Sequence, residues 1–145
     1  MKKILTLVFL VLLVIFGGCF YYAQDKTNDQ LQPINSNLIS EKIDASEFEQ
    51  KYRTGDYVVI DVRTPEEYAT GRVVSDSILI NFYDKDFKGQ LNLLDKNQPY
   101  LIHCRSGARS GKTLSIMKEL GFTEVHDLIG GKNAWVESGR ELVNV

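Results

Sequence analysis

Tyr100-Leu101-Ile102-His103-Cys104-Arg105-Ser106-Gly107-Ala108-Arg109-Ser110 decides how this 145-residue chain is read. The apolar run Tyr100 to His103 has the length and bulk of a buried strand. It ends in one cysteine, a small loop follows, and a helical pattern opens at Ser110. That order brings three things to one sulfur atom: inward-turned loop N–H groups, the positive end of a helix, and guanidinium charge. Each favours the thiolate over the thiol. Cys104 is therefore the candidate nucleophile. Arg105, Ser106, Gly107, Ala108, Arg109 and Ser110 form the candidate substrate-binding loop, with Gly107 supplying a backbone angle closed to other residues. Arg109, at the turn into the helix, is expected to contact substrate or the loop, and Arg105 to sit toward solvent at the rim.

The flanking pattern alternates between helix and strand. Asp44-Ala45-Ser46-Glu47 matches a capping box and predicts a helix to about Tyr52. Tyr57 to Ile60 is a short β-branched strand. Thr64-Pro65-Glu66-Glu67 combines an N-cap, a first-position proline and a glutamate three residues after the cap, so a short helix is expected over Pro65 to Ala69, stopping near Gly71. Ile78 to Ile80 is a second strand, and Asp84 to Asp95 is irregular or partly helical. After the Tyr100–His103 strand, Ser110 to Leu120 places Leu114, Met117 and Leu120 at helical spacing, with Gly121 to end the helix. Glu124 to Leu128 is a fourth strand. Gly130-Gly131 then turns into a last short helix through Trp135, itself a core residue. Such alternation implies a parallel-type sheet covered on both faces. Ligands bind beyond the carboxyl ends of such strands, which is where Cys104 falls.

Asp61 and Arg63 follow the first strand at its carboxyl end. One reading has Asp61 accepting hydrogen bonds near the active loop and Arg63 pairing with Glu67. The weightier reading is a buried pair that fixes loops without touching substrate. His103 could serve as a base, but neighbours on a strand point to opposite faces, so it is assigned to packing. His126 is an ordinary strand residue.

The amino terminus has a separate logic. Met1-Lys2-Lys3, the apolar run Ile4 to Phe16 and Gly17-Gly18-Cys19 together make an export signal. Phe16-Gly17-Gly18-Cys19 resembles the lipobox of bacterial lipoproteins, with Phe16 in place of the usual Leu; this resemblance implies lipidation of Cys19. The main alternative is an uncleaved anchor, since Ile4 to Ala23 is long enough to span a bilayer and Tyr21 and Tyr22 suit its interface; a fully released protein is the remaining one. Residues 1–18 are thus a signal peptide or membrane anchor, 19–37 a polar tether, and 38–145 the domain. The lipoprotein and anchor readings both tether the domain to a membrane of the bacterial cell envelope, outside the cytoplasm. The formal charge of the chain is -2. Without residues 1–18, 15 Lys+Arg face 19 Asp+Glu, giving -4. No basic patch interleaves with aromatics, so no nucleic-acid partner is expected. Cys19 and Cys104 each have a separate role, so no structural disulfide is expected.

Taken together, Val59-Ile60-Asp61-Val62-Arg63, Glu67-Tyr68, Gly71, Cys104 to Ser110, Glu119-Leu120-Gly121-Phe122, Gly130-Gly131 and Ala134-Trp135 resemble the rhodanese-like sulfurtransferases over about Leu38 to Val143. The resemblance implies an α/β three-layer domain, a central mostly parallel sheet flanked by helices, and a cysteine that carries a persulfide during turnover. It implies a thiosulfate sulfurtransferase that takes sulfane sulfur from a small anionic donor and passes it to cyanide, sulfite or a thiol, without metal or organic cofactor. Gly71-Arg72-Val73 departs from the Gly-His-Ile of many relatives, and Val74 to Ser77 from their small-residue turn. Tyrosine phosphatases also cradle an anion after a cysteine, with five residues between Cys and Arg. Here four residues separate Cys104 from Arg109, and the tighter ring suits a second sulfur better than a tetrahedral phosphate. A phosphatase or arsenate reductase therefore ranks below sulfur transfer. A persulfide relay for a protein partner is the other alternative.

Overall fold

A computed structural model describes residues 38–144. The expectations for Cys19, the membrane segment and the polar tether fall outside those residues. Five strands, β1 (Ile39–Ile43), β2 (Val58–Asp61), β3 (Ile78–Leu79), β4 (Tyr100–His103) and β5 (Glu124–Leu128), form one sheet in the order β1-β5-β4-β2-β3. Every pairing among them is parallel, which sharpens the expected mostly parallel sheet. The helices are α1 (Ala45–Arg53), α2 (Pro65–Ala69), α3 (Phe87–Asn92), α4 (Ala108–Glu119) and α5 (Gly131–Glu137).

Side-chain alternation along the strands builds a core on each face. Ile60, Ile102 and Val125 meet Phe87 and Leu91 of α3 and Met117 of α4 on one side. Val59, Leu101 and Leu128 meet Phe48 of α1 and Trp135 of α5 on the other. The parallel pairing demands this double coverage, because each connection must cross a face.

The short helices start where their caps require. Asp44 accepts from the N–H groups of Ser46 and Glu47 at 2.8 and 2.9 Å, satisfying two orphan donors of α1. Thr64 and Glu67 complete a reciprocal capping box at α2.

Strand β1 is the element the sequence pattern does not announce. Its middle residues Ser40, Glu41 and Lys42 are polar, and of its two isoleucines Ile39 is exposed and Ile43 buried. It is an edge strand, held by parallel pairing to β5 alone. Charged side chains protect such an edge and also hide it from a hydrophobic pattern.

From β2 the chain moves outward through α2 to β3, whereas from β4 it moves the other way through α4 to β5. The neighbouring strands β2 and β4 therefore flank a topological switch point, where the departing chains leave a crevice. Arg63 follows β2 there and Cys104 follows β4.

Candidate active site

Cys104 is a free thiol directly after β4, at the floor of the loop leading into α4. Gly107, at φ +87°, stands before the first residue of α4 and donates its N–H to Cys104 Sγ at 3.1 Å. The Ser110 hydroxyl donates to the same sulfur at 3.5 Å. Burial pushes the Cys104 thiol up, but N–H groups of Ser110, Ser106 and Arg109 together with the Ser110 hydroxyl outweigh it, leaving the thiol below its ordinary range. The loop is thus a nest of donors closed around one sulfur at a helix N-terminus. Cys104 is 1% exposed, so only small reagents can reach it.

A second turn braces this loop from behind. Gly131 has φ +57°, and a Cβ there would lie 2.9 Å from the Arg105 carbonyl carbon and closer still to the Cys104 carbonyl oxygen. The close approach lets Lys132 N–H donate to Cys104 C=O at 2.8 Å and Asn133 N–H to Arg105 C=O at 3.0 Å. Part of the sulfur cradle therefore rests on a turn some 25 residues further along the chain.

Arg63 and Asp61 scaffold the other wall. Arg63 is 1% exposed, and its Nε donates to both oxygens of Asp61, at 2.9 and 2.7 Å. Its Nη1 donates to the Glu67 carbonyl and its Nη2 to the Gly71 carbonyl, each at 2.8 Å. Arg63 thereby satisfies carbonyls at the end of α2, groups that a helix terminus leaves without partners. The expected Arg63–Glu67 pairing is corrected in kind: Arg63 takes the Glu67 backbone oxygen, while the carboxylate goes elsewhere.

That carboxylate binds Arg109. Arg109 Nη1 and Nη2 donate to the two Glu67 oxygens at 2.6 and 2.8 Å, a fork-to-fork pair that holds Glu67 at about 2. The expectation that Arg109 contacts substrate or the loop is met at its backbone, whose N–H supports Cys104, while its side chain turns to Glu67. A planar guanidinium and a carboxylate match too well across the crevice to leave the arginine free, so Arg109 ties α4 to α2. Arg105 does lie exposed, on a cleft of about 320 Å³ lined also by Arg63, Glu66, Glu67, Thr70 and Lys132. With Arg63 matched by Asp61 and Glu67 by Arg109, Arg105 and Lys132 face only Glu66 as a free charge. The cleft favours small anions.

His103 points away from Cys104, as strand alternation requires, and packs edge-on to Phe48. It is fully buried, and burial lowers its pKa, against the nearby Asp61 charge. His126 lies on β5 as expected, 1% exposed, and sits between Glu124 and Glu41 at 2.8 and 3.0 Å. Glu67 as the Arg109 partner, Gly131 as the brace and Asp127 beneath α4 were not legible as site residues. Only Gly131 left a signal, in the paired glycines before a helix. Among the described residues no group of three His, Cys, Asp or Glu is placed to hold a metal ion.

The Rhodanese-like domain family matches residues 44–138. A sulfurtransferase of Allochromatium vinosum is 30% identical over 103 residues, covering 70% of this chain and 94% of that protein. The thiosulfate sulfurtransferase GlpE of Ectopseudomonas mendocina is 30% identical over 86 residues, covering 59% and 76%. Among solved structures, a rhodanese-like domain protein from Staphylococcus aureus superposes with a TM-score of 0.61 at 30% identity, covering 72% of this chain and 98% of that one. A rhodanese-related protein from Thermoplasma volcanium gives 0.63 at 27% identity, covering 71% and 97%. The sulfur nest at the switch point of an all-parallel sheet, the family match and these relatives agree, and the chain belongs to the rhodanese-like domain family, a family of sulfurtransferases.

Proposed function

We infer that the protein is a thiosulfate sulfurtransferase that works through a persulfide on Cys104. The observation that carries this reading is the cluster of N–H donors around one sulfur, which lowers its pKa although the residue is buried. In the first step the Cys104 thiolate attacks the outer sulfur of thiosulfate. A bond forms between Sγ and that sulfur, the sulfur–sulfur bond of the donor breaks, and sulfite leaves with the bonding pair. The cysteine now carries a terminal anionic sulfur about 2 Å beyond Sγ. Donors of the loop stabilise that charge, as an oxyanion hole stabilises oxygen. In the second step cyanide, sulfite or a thiol attacks the terminal sulfur, takes it up, and returns the Cys104 thiolate.

The charge of Arg105 and Lys132 draws the donor to the cleft, and Arg109 acts through Glu67 to hold the loop in shape. Four residues between Cys104 and Arg109 keep the nest small, which favours sulfur over a phosphate or arsenate. The basic start, the apolar run and Gly17-Gly18-Cys19 support a tether at a membrane of the cell envelope, with the domain outside the cytoplasm.

Intact mass after exposure to thiosulfate tests the chemistry. The protein is expected to gain one sulfur atom, to lose it to cyanide as thiocyanate, and to gain nothing as Cys104→Ser. Hydrolysis of a phosphate ester with no sulfur uptake would overturn the reading. Fatty-acid labelling lost in Cys19→Ala tests the lipid anchor.

A further inference from the structure

Asp127 lies on β5, on the face covered by α4, and the sulfur-transfer steps do not use it. It is 1% exposed, and its Oδ1 has no hydrogen-bond partner. Its Oδ2 comes within 3.7 Å of where a Cβ on Gly111 would stand, which places the carboxylate under the first turn of α4. The same turn carries Ser110, fully buried, whose hydroxyl donates to Cys104 Sγ. A buried carboxylate oxygen without a donor is costly, and the nearby donor is spent on the sulfur. A serine hydroxyl has one proton to give.

The groups around Asp127 are few. Lys42 on β1 is its register partner, its Nζ 3.5 Å from the same Gly111 position. Strand β4 presents Ile102 as the register partner, and α4 presents Ser110 and Gly111, with Cys104 beyond.

We propose that Asp127 is a positioning residue that acts through Ser110 to set how many hydrogen bonds the Cys104 sulfur receives. Protonated, Asp127 donates to Ser110 Oγ and leaves the hydroxyl proton on Cys104 Sγ. Ionised, it accepts that proton, and the sulfur loses one donor. Burial pushes the Asp127 carboxyl up to about 6, against the Ser110 hydroxyl and Lys42, so the exchange falls within an accessible pH range. Below it the thiolate is held more tightly; above it the thiolate is scarcer but each one is more nucleophilic. The proposal rests on Cys104 being the nucleophile of the reading above, but it concerns the thiolate alone, so a failure of sulfur uptake would leave the following test intact.

The test is the rate of Cys104 alkylation by iodoacetamide in the full chain, followed by the mass of the Cys104 peptide from pH 4.5 to 10. The wild-type profile is expected to depart from a single titration, with an inflection near pH 6. Asp127→Asn is expected to give one simple titration, alkylating about threefold faster than wild type at pH 7, since about tenfold more thiolate is partly offset by the lower nucleophilicity of each, and to converge with it below about pH 5. In a Ser110→Ala background, Asp127→Asn is expected to change nothing further. A single-step wild-type profile would overturn the proposal without any variant. So would equal rates of wild type and Asp127→Asn at pH 7, or the full ratio of about threefold persisting in Ser110→Ala, which would mean that the charge acts directly through space.

Discussion

Replacing Gly131 by alanine puts the brace behind the sulfur nest to a direct test. The new methyl would meet the backbone of Arg105 and Cys104 at distances that real Cβ atoms do not keep, and backbone cannot rotate aside as a side chain can. The turn must therefore withdraw. Withdrawal weakens two hydrogen bonds, Lys132 N–H to Cys104 C=O and Asn133 N–H to Arg105 C=O. Each contributes about 1 kcal/mol. Holding alanine at φ +57° adds about 1 kcal/mol. The total is about 3 kcal/mol, a large share of the stability of a domain this size. Gly55→Ala is the matched control: its φ of +80° carries the same conformational cost, but nothing lies within 4 Å of the added methyl. Urea unfolding should place Gly131→Ala about 2 kcal/mol below Gly55→Ala. At low temperature, where both remain folded, a loop displaced by about 1 Å should cost about 100-fold in sulfur transfer for Gly131→Ala alone. Two variants of equal stability and full activity would refute the idea that this close approach shapes the nest.

Three further outcomes follow from the charges around the crevice. Glu67 sits at about 2, below its ordinary 4.5, so its contribution to stability is complete above pH 4.5 and is lost as pH falls toward 2. Discounted for its partial exposure the contribution is about 2 kcal/mol, and acid unfolding of Glu67→Gln should be correspondingly flatter across that window; identical profiles would remove the Arg109 pair as its source. Asp61→Ala leaves Arg63 charged and buried, and should destabilise by about 3 kcal/mol in urea, with Asp61→Ala/Arg63→Leu recovering part of the loss. Arg105→Ala should raise the thiosulfate KM several-fold with kcat nearly unchanged, and more so at low salt than at high, because the residue is exposed and acts as a charge; a fall in kcat alone would place it in the chemical step instead.

Elements whose signals are local were readable without coordinates. Thr64, Pro65 and Glu67 announce α2 because cap, proline and returning glutamate all lie within one turn. Leu114 and Met117 announce α4, though the helix opens two residues before Ser110, since the left-handed Gly107 already turns the chain. Strand β1 escaped because an edge strand needs no apolar face. The Arg109–Glu67 pair escaped for a different reason. Glu67 is 42 residues from Arg109, and two acids and several arginines around the crevice offered more pairings than the sequence could rank.

What the sequence by itself determined is the existence of the sulfur nest. Cysteine, loop glycine and helix start are contiguous, and a short stretch of backbone closes on its own side chain wherever strand and helix flank it. What only the tertiary structure decided is how that nest is held and tuned: the depth of Cys104, the choice of Glu67 for Arg109, the backing turn at Gly131, and the buried Asp127 beside Ser110. Those contacts join elements brought together by the order of strands in the sheet, and their strength depends on distances and burial that no spacing along the chain encodes.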